Sequence, residues 1–350
     1  MNVRGRSIGT EPAVDVLVLN YNGRQWLRNC LETLRRTTYP SMNAWVVDNG
    51  SADGSIDYVR ETFPDVGIVS HERNHGFAAG YNLAMEKMEG KYAVFLNNDI
   101  KVANPEWLSE MVQVMESQEQ VAAIAAKLVM MDNARLIDAV GGTCYPWARS
   151  MNIGFMEEDK GQYDSPAIEP FAACGAAMMV RSRAFHEVGG FDTGLFAYCE
   201  DLDLCWRLRL RGYTVVYQPT AVIHHHFSGF WGKQPTRKHY LSARNFLRTM
   251  LKNYSSATLP AAVLAFMCFT VLLRLFGYLA LRQPGMAWAM LAAVGWNIGS
   301  LGDTIKQRRL VQSTRVVPDS AIYRAMGKPR VESPLRMVQQ ARYLSSLYDR

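Results

Sequence analysis

The chain predicts an α/β protein built on a mostly parallel, Rossmann-like sheet flanked by helices, and three observations carry that prediction. Strand-like and helix-like segments alternate four times within about a hundred residues, the order that gives parallel strands joined by helical crossovers. Three of those four strands run directly into Asn or Asp. The sharpest case is Tyr92-Ala93-Val94-Phe95-Leu96, an apolar run that stops at Asn97-Asn98-Asp99. Such a run reads as a buried strand delivering polar groups to its carboxyl end, the edge at which open α/β sheets bind ligands.

The elements follow in order. Val14–Leu19 is a β-branched, apolar run ending at Asn20-Tyr21-Asn22-Gly23, and Trp26–Arg36 then places Leu27, Cys30, Leu31 and Leu34 on one helical face. Ala44–Val47 is a second strand, closing on Asp48-Asn49-Gly50-Ser51-Ala52-Asp53-Gly54-Ser55, a tight loop that caps a helix over Ile56–Thr62. Val66–Val69 is a third, weaker strand, and Arg73–Asn82 leads into a helix reaching about Met88. After the strand at 92–96, a helix is expected over Pro105–Gln118 and a strand over Val121–Met131. Residues 132–170 look irregular; Tyr145, Trp147, Phe155, Glu157, Glu158 and Tyr163 are either a variable loop or the lining of an acceptor groove. Phe171–Val180 runs from small residues into a strand, and Arg181–Val188 is a short helix stopped by Gly189-Gly190. Glu200–Arg211 has acids in its first turn, arginines in its last and Gly212 just beyond, all in accord with the helix dipole and its capping rules. Thr214–Tyr217 and Ala221–Ile223 are strand-like on either side of Pro219 and lead into His224-His225-His226.

Composition narrows the class. The 350 residues suffice for one large α/β domain with an appendage. Six cysteines (Cys30, Cys144, Cys174, Cys199, Cys205, Cys268) form no C-x-x-C pair and no regular spacing, so reduced thiols are expected rather than a zinc module or a disulfide framework. Met1–Ala13 carries Arg4 and Arg6 but no apolar core, unlike a secretory signal, and the functional face is expected in the cytoplasm. The net charge of +6 conceals an asymmetry: residues 1–231 hold 20 Lys/Arg against 28 Asp/Glu, and residues 232–350 hold 18 against 4. So basic a tail seeks anionic partners, whether nucleic acid, phosphorylated substrates or the cytoplasmic leaflet of a membrane.

Parallel strands would gather the polar strand ends on one rim. There Asp99 offers a hard oxygen suited to Mg²⁺ or Mn²⁺, and substrate diphosphate oxygens would complete the shell that one carboxylate cannot. The Asp48 loop could meet a nucleobase and ribose hydroxyls, and Asn74–Asn82 could bring backbone N–H groups to phosphates through Gly76 and Gly80. No G-x-G-x-x-G occurs, which counts against a dinucleotide oxidoreductase. Glu200, Asp201 and Asp203 are more negative charge than capping requires; one is a candidate general base, dipole pairing alone being the alternative. On a strand neighbours alternate faces, so at most two of the three histidines share a side, and one could join Asp99.

With these residues assembled, the chain resembles the family 2 glycosyltransferases, which use nucleotide-sugar donors and the type A (GT-A) nucleotide-binding fold. The resemblance rests on LNYNG at 19–23, VVDNGSADGS at 46–55, RNHGFAAGYN at 73–82, FLNNDI at 95–100, GGFD at 189–192 and CEDLDLCWRLRLRGY at 199–213, with P-x5-H ending at His225. It spans roughly 13–230, and the wording is most similar to the rhamnosyltransferase branch, which builds bacterial envelope polysaccharides. The resemblance implies inversion at the anomeric carbon and a divalent metal on the donor diphosphate. It implies Asp201 as catalytic base with Glu200 as its partner, and Asp99 and His225 as metal ligands, with His224 or His226 as alternatives. Asn97 stands where the family's D-x-D element has its first acid. Asn20, Tyr21, Asn22 and Asp48 match nucleobase and ribose contacts, and Asn74, Gly76, Phe77, Asn97 and Asn98 complete the expected donor site. The donor would be a dTDP- or UDP-sugar, with dTDP-rhamnose the first expectation, and the acceptor lipid-linked or glycan.

The catalytic domain is therefore expected over 13–230, with a basic, apolar, helical region over 231–350. Within Ser228–Arg248, Trp231, Lys233, Arg237, Lys238, Tyr240 and Arg244 suit a donor diphosphate or a lipid-linked phosphate. Leu259–Leu281 is apolar nearly all round, opened by Pro260 and interrupted by Arg274. Its uncharged part, Ala261–Leu273, would extend roughly 20 Å as helix, short of a hydrocarbon core of about 30 Å. Pro284-Gly285 makes a turn before a second apolar helix, Met286–Leu301, with Trp288 and Trp296, and Lys306-Gln307-Arg308-Arg309 restores positive charge. The favoured expectation is a hairpin over 259–302 lying in the cytoplasmic leaflet of the inner membrane, peripheral or monotopic; an oligomer interface and a shallow transmembrane hairpin are the alternatives. A further helix is expected over 333–348. A non-catalytic sugar-nucleotide-binding or scaffold subunit is the competing function, and Asp201 discriminates, since a binding subunit needs no base. Nucleic-acid binding is disfavoured, because the basic residues flank apolar helices rather than an exposed aromatic platform.

Overall fold

The computed structural model describes residues 11–146, 148–166, 168–226 and 235–327, with 148–150 described by backbone alone. Trp147, Trp231, Lys233 and the helix expected over 333–348 lie outside the described residues.

The amino-terminal half is the expected alternation: β1 (Val14–Asn20), α1 (Arg24–Leu34), β2 (Met42–Asp48), α2 (Ser55–Thr62), β3 (Gly67–Ser70), α3 (Gly76–Met85) and β4 (Tyr92–Asn97). β5 (Ile100–Val102), α4 (Trp107–Ser117), β6 (Val121–Met130), β7 (Ile137–Ala139), β8 (Gly142–Tyr145), β9 (Ala148–Asn152), β10 (Ala177–Arg181) and α5 (Ser182–Glu187) follow. α6 (Glu200–Leu210), β11 (Thr214–His225) and α7 (Pro235–Asn253) lead into the carboxyl-terminal helices.

The main sheet runs β3-β2-β1-β4-β10-β6-β11-β5, with β7 also on β6. β1 is parallel to β2 and β4, β2 to β3, and β6 to β11, while β10 is antiparallel to both β4 and β6. The carboxyl ends of β1 to β4, β6 and β11 therefore share one rim, the GT-A arrangement. Strand alternation sends Val14, Val16, Val18, Val94 and Leu96 into the core on one side of the sheet, and Leu17, Ala93 and Phe95 into the core on the other.

Three expectations change. The two strand pieces around Pro219 are one strand, β11, with a register shift between Gln218 and Val222 at the residue that lacks an N–H to donate. The stretch 132–170 is not wholly irregular: β7 pairs with β6, and β8 with β9. The apolar segment after Pro260 is longer than its uncharged part suggests. α8 (Leu259–Ala265), a π-helical stretch (Phe266–Leu272) and α9 (Leu273–Ala280) form one 22-residue helix of mean hydropathy 2.2, long and apolar enough by length and composition to cross a membrane. Arg274 is accommodated because it lines a cavity on the protein side.

α10 (Pro284–Gly299), α11 (Leu301–Ser313) and α12 (Asp319–Ala325) are the last helices among the described residues, with α10 and α11 packed on α7. α7 is fastened to the sheet domain by buried charge. Asp203 pairs with Arg207 at 2.8 Å and with Lys252 at 2.9 Å, and Asp192 with Arg248 at 2.8 Å and also with Lys252. Leu264, Phe269, Leu272, Leu273 and Phe276 remain exposed on the long helix, Phe276 at 66%, and Trp288 and Ile298 on α10.

Candidate active site

The shared rim opens into a cavity of about 600 Å³. Its wall includes Tyr21, Asn74, Gly76 and Phe77, the strand-end residues Asn97, Asn98, Asp99 and His225, and Glu200 and Asp201. The two carboxylate groups that the sequence separates by about a hundred residues thus border one space.

The pair at Asp99 and His225 follows from pairing in the sheet. β11 lies beside β6 with His225 opposite Met130, and its alternation turns His225 inward, 8% exposed, while His224 is only partly buried. His225 Nε2 stands 3.5 Å from Asp99 Oδ1 and 3.4 Å from the Asn97 side-chain nitrogen. Its Nδ1 lies 2.6 Å from Asp138 Oδ2. Asp138 sits on β7, which takes the edge of β6 opposite β11, so the two residues straddle that strand. Burial alone would lower the His225 pKa; Asp99 and Asp138 outweigh it and raise it to about 10. His226 stacks at 4.6 Å on Trp26 and stands 3.8 Å from Asp132, so it is the inward His225 that meets Asp99.

The residues suit a divalent cation on one observation: Asp99 Oδ1 is buried without a hydrogen-bond partner and faces an imidazole nitrogen. One carboxylate and one imidazole are too few alone, and among the described residues no three His, Cys, Asp or Glu side chains converge as a complete set. Ligand oxygens would supply the remaining positions.

Glu200 and Asp201 open α6. The chain reaches them through left-handed conformations at Phe196 (φ 61°), Tyr198 (φ 70°) and Cys199 (φ 65°), a concentration of non-glycine positive φ that marks functional loops. Asp201 Oδ2 accepts from the Gly175 amide at 2.9 Å, and Oδ1 from Leu202 N at 2.7 Å. Burial raises the Asp201 pKa against the opposing pull of those amides. Glu200 is driven well above the ordinary carboxylate range by burial and then by the charge of Asp201, and its Oε2 has no partner. A pair raised in this way is suited to take a proton nearer neutral pH than a free carboxylate would. Cys174 and Cys199 border the same space, but burial, followed by Asp201, pushes both thiols up, which keeps them protonated and weakly nucleophilic.

The remaining sequence expectations divide. Asn20, Asn22 and Asp48 are not on the cavity wall. Asn20 and Asp48 are buried and bonded to each other at 3.0 Å, both meet Ser51, and Asn20 accepts from Asn98 at 2.7 Å. Asn22 ties down the loop, accepting from Ala52 N at 2.8 Å. They shape the loops under Tyr21 and Asn98 instead of facing the space. The segment expected to offer amides to phosphates also differs: Gly76 N donates to Asn74 Oδ1 at 2.8 Å and Phe77 N to Phe196 O at 2.7 Å. Gly76 is required because its φ is +79° and a Cβ would lie 2.5 Å from Phe196 O. Of the stretch left open as loop or groove, Phe155 lines the cavity.

Sequence reading missed Asp138 and Asn49, which also border the space. An acid inside Leu136-Ile137-Asp138-Ala139-Val140 is the available signal, since a lone carboxylate in an apolar run is seldom buried without a partner. α7 and the long helix also line the cavity, through Lys238, His239, Phe246, Phe266, Thr270 and Arg274.

A GT-A sheet with paired acids and an Asp–His pair on one rim defines a class of sugar-transferring enzyme, and comparison with known proteins agrees. The model of glycosyl transferase family 2 matches residues 15–189, and the chain belongs to that family. It is a glycosyltransferase similar to the rhamnosyltransferase branch. It is 27% identical over 245 residues to the N-acetylglucosaminyl-diphospho-decaprenol L-rhamnosyltransferase of Mycobacterium tuberculosis, covering 63% of this chain and 78% of that protein. It is 29% identical over 202 residues to rhamnosyltransferase WbbL of Escherichia coli, covering 50% and 75%. The match to the uncharacterized protein y4gI of Sinorhizobium fredii, at 28% identity, covers 64% of this chain but only 26% of that longer protein. Among solved structures, the mannosyltransferase PcManGT from Pyrobaculum calidifontis, in complex with GDP-Man and Mn²⁺, shares the fold with a TM-score of 0.52 and 16% identity over 87% of this chain and 86% of that one.

Proposed function

We propose that the protein is a metal-dependent, inverting rhamnosyltransferase that moves the sugar of a dTDP-sugar onto a lipid-linked or polysaccharide acceptor of the cell envelope, at the cytoplasmic face of the inner membrane. The observation that carries this reading is that Asp99–His225 and Glu200–Asp201 border one cavity.

Tyr21, Asn74, Gly76 and Phe77 would border the nucleotide, with Asn20, Asn22 and Asp48 fixing the loops beneath. Asp99 and His225 would hold Mg²⁺ or Mn²⁺ together with the donor diphosphate, and Asp138 keeps the His225 ring turned so that Nε2 faces Asp99. Bound there, the cation offsets the negative charge that builds on the departing diphosphate. Asp201 accepts the acceptor hydroxyl proton as that oxygen bonds to the anomeric carbon. The bond from this carbon to the diphosphate oxygen breaks, and its electron pair leaves with the nucleotide. The raised Asp201 pKa makes it the stronger base for this step. A single displacement inverts the anomeric centre.

The cavity residues contributed by α7 and the long helix support an amphiphilic acceptor. Lys238, His239 and Arg274 offer positive or donor groups to a phosphate, and Phe266 and Thr270 lie on the helix whose outer side exposes Leu272, Leu273 and Phe276. One side of that helix lines the enzyme's own cavity, which favours insertion alongside the membrane surface over a crossing. The 18 basic against 4 acidic residues after 231 favour an anionic leaflet.

Incubation with Mg²⁺ or Mn²⁺ and dTDP-rhamnose, UDP-glucose, UDP-N-acetylglucosamine or GDP-mannose tests the reading. Donor hydrolysis or transfer by the wild type, its loss in Asp201→Asn and unchanged nucleotide binding are expected. Equal turnover by both proteins would remove Asp201 as base and bring the non-catalytic subunit forward.

A further inference from the structure

The turn that delivers Glu200 and Asp201 is held from outside the sheet domain. Asn245 on α7 is wholly buried, and the two hydrogens of its side-chain nitrogen are shared among three carbonyls of that turn: Leu195 at 2.7 Å, Ala197 at 2.8 Å and Tyr198 at 2.7 Å. Arg244 donates to Gly194 O at 3.1 Å and Leu195 O at 2.8 Å, and to the Asn245 side-chain oxygen at 2.7 Å. The backbone so gripped is the one with left-handed φ at Phe196, Tyr198 and Cys199. A strained conformation of this kind persists only where its surroundings over-determine it. Phe196 O in turn receives the Phe77 amide, and Phe196, Ala197, Tyr198 and Cys199 all line the cavity.

The grip itself is backed by α10. The Asn297 side chain donates to Arg244 O at 2.9 Å, and the Arg244 guanidinium lies 4.3 Å from the centre of the Trp296 ring. Asn245 is neither on the cavity wall nor within the family match at 15–189.

We propose that Asn245 is a positioning residue for sugar transfer: by holding carbonyls 195, 197 and 198 it keeps the turn left-handed and fixes the direction from which Asp201 meets the acceptor. Arg244 and α10 make the apolar carboxyl-terminal helices part of that support. The inference rests on Asp201 being the base.

Asn245→Ser, which leaves one shorter donor, tests it in the full chain with the fastest donor of the panel above. A misplaced base lowers kcat without loosening the donor, so a kcat loss of at least about tenfold is expected, with donor KM and Mn²⁺-dependent dTDP binding within about twofold. Adding Cys199→Gly, which accepts positive φ without strain, is expected to restore at least about threefold of the lost kcat. A helix-packing role for Asn245 would give no such rescue. Unchanged kcat in Asn245→Ser, or loss without rescue, overturns the proposal. Should Asn245→Ser not fold, Arg244→Lys carries the same test: a kcat-selective loss supports the proposal and unchanged kcat overturns it. Asp201→Asn run alongside separates the two levels. If it keeps wild-type kcat, the assignment of the base fails; if it is inactive while Asn245→Ser keeps wild-type kcat, only the present inference fails.

Discussion

At the scale of single residues, the site is governed by carboxylates in contrasting settings. Asp201 and Glu200 are raised by burial, so the pair holds a proton to higher pH than free carboxylates do and deprotonates in coupled steps. A base acts only when deprotonated. The acid limb of kcat/KM against pH is therefore expected to fall off at a midpoint above the ordinary Asp value of about 4. Glu200→Gln, which mimics the protonated Glu200 that accompanies Asp201 through its titration, is expected to leave that limb in place; a limb already at the ordinary value in wild type would contradict the assignment. Asp138 has a different task. Asp138→Asn frees the Nδ1 side of His225, and Mn²⁺ affinity in the presence of dTDP, read by calorimetry, is expected to weaken about 10- to 100-fold.

At the scale of elements, α7 is joined to α6 and to the turn before it by buried ions. Burial works against the charge on Asp192, but Lys252 and Arg248 outweigh it and hold its pKa well below the usual range. Because the folded value lies below the unfolded one, its stabilisation is complete above about pH 4 and is lost as the pH falls toward the folded value. Asp192→Asn leaves Lys252 with Asp203 alone and Arg248 with Asp303 alone, and a loss of up to about 3 kcal/mol is expected in denaturant titration at pH 7, with a weaker acid dependence than wild type. Sequence reading captured the elements that obey local rules. α6 announces itself through charge order and Gly212, and the early strands through apolar runs with polar ends. It could not reach Asp138 or Asn245, because each acquires its role from a partner far along the chain: His225 lies 87 residues from Asp138, and Leu195 lies 50 from Asn245. The apparent break at Pro219 misled because a missing donor weakens a strand locally, whereas pairing with β6 resumes beyond it. Asn20 and Asp48 were legible as polar strand ends, but which polar groups satisfy one another is decided only when the strands lie side by side.

At the scale of the whole molecule, the large apolar side chains left exposed among the described residues run from Leu264 to Tyr323, and the apolar helix is longer than its uncharged part suggests because Arg274 does not interrupt it. Its side chain faces the cavity, which lets Leu273 and Phe276 stay exposed on the same helix. Leu273→Glu with Phe276→Glu is expected to weaken binding to vesicles containing anionic lipid by at least about tenfold, since each apolar side chain buried contributes roughly 1.5–3 kcal/mol. Co-sedimentation measures it, and unaltered binding would point to another surface.

A cavity that touches both Tyr21 and Arg274 also bears on how the enzyme would be saturated. A nucleotide arrives from bulk solution, whereas an amphiphile entering beside the long helix arrives by lateral diffusion, so its mole fraction in the lipid phase becomes the effective concentration. Diluting the acceptor with inert detergent at constant total acceptor should slow turnover, and the same dilution should leave donor hydrolysis untouched.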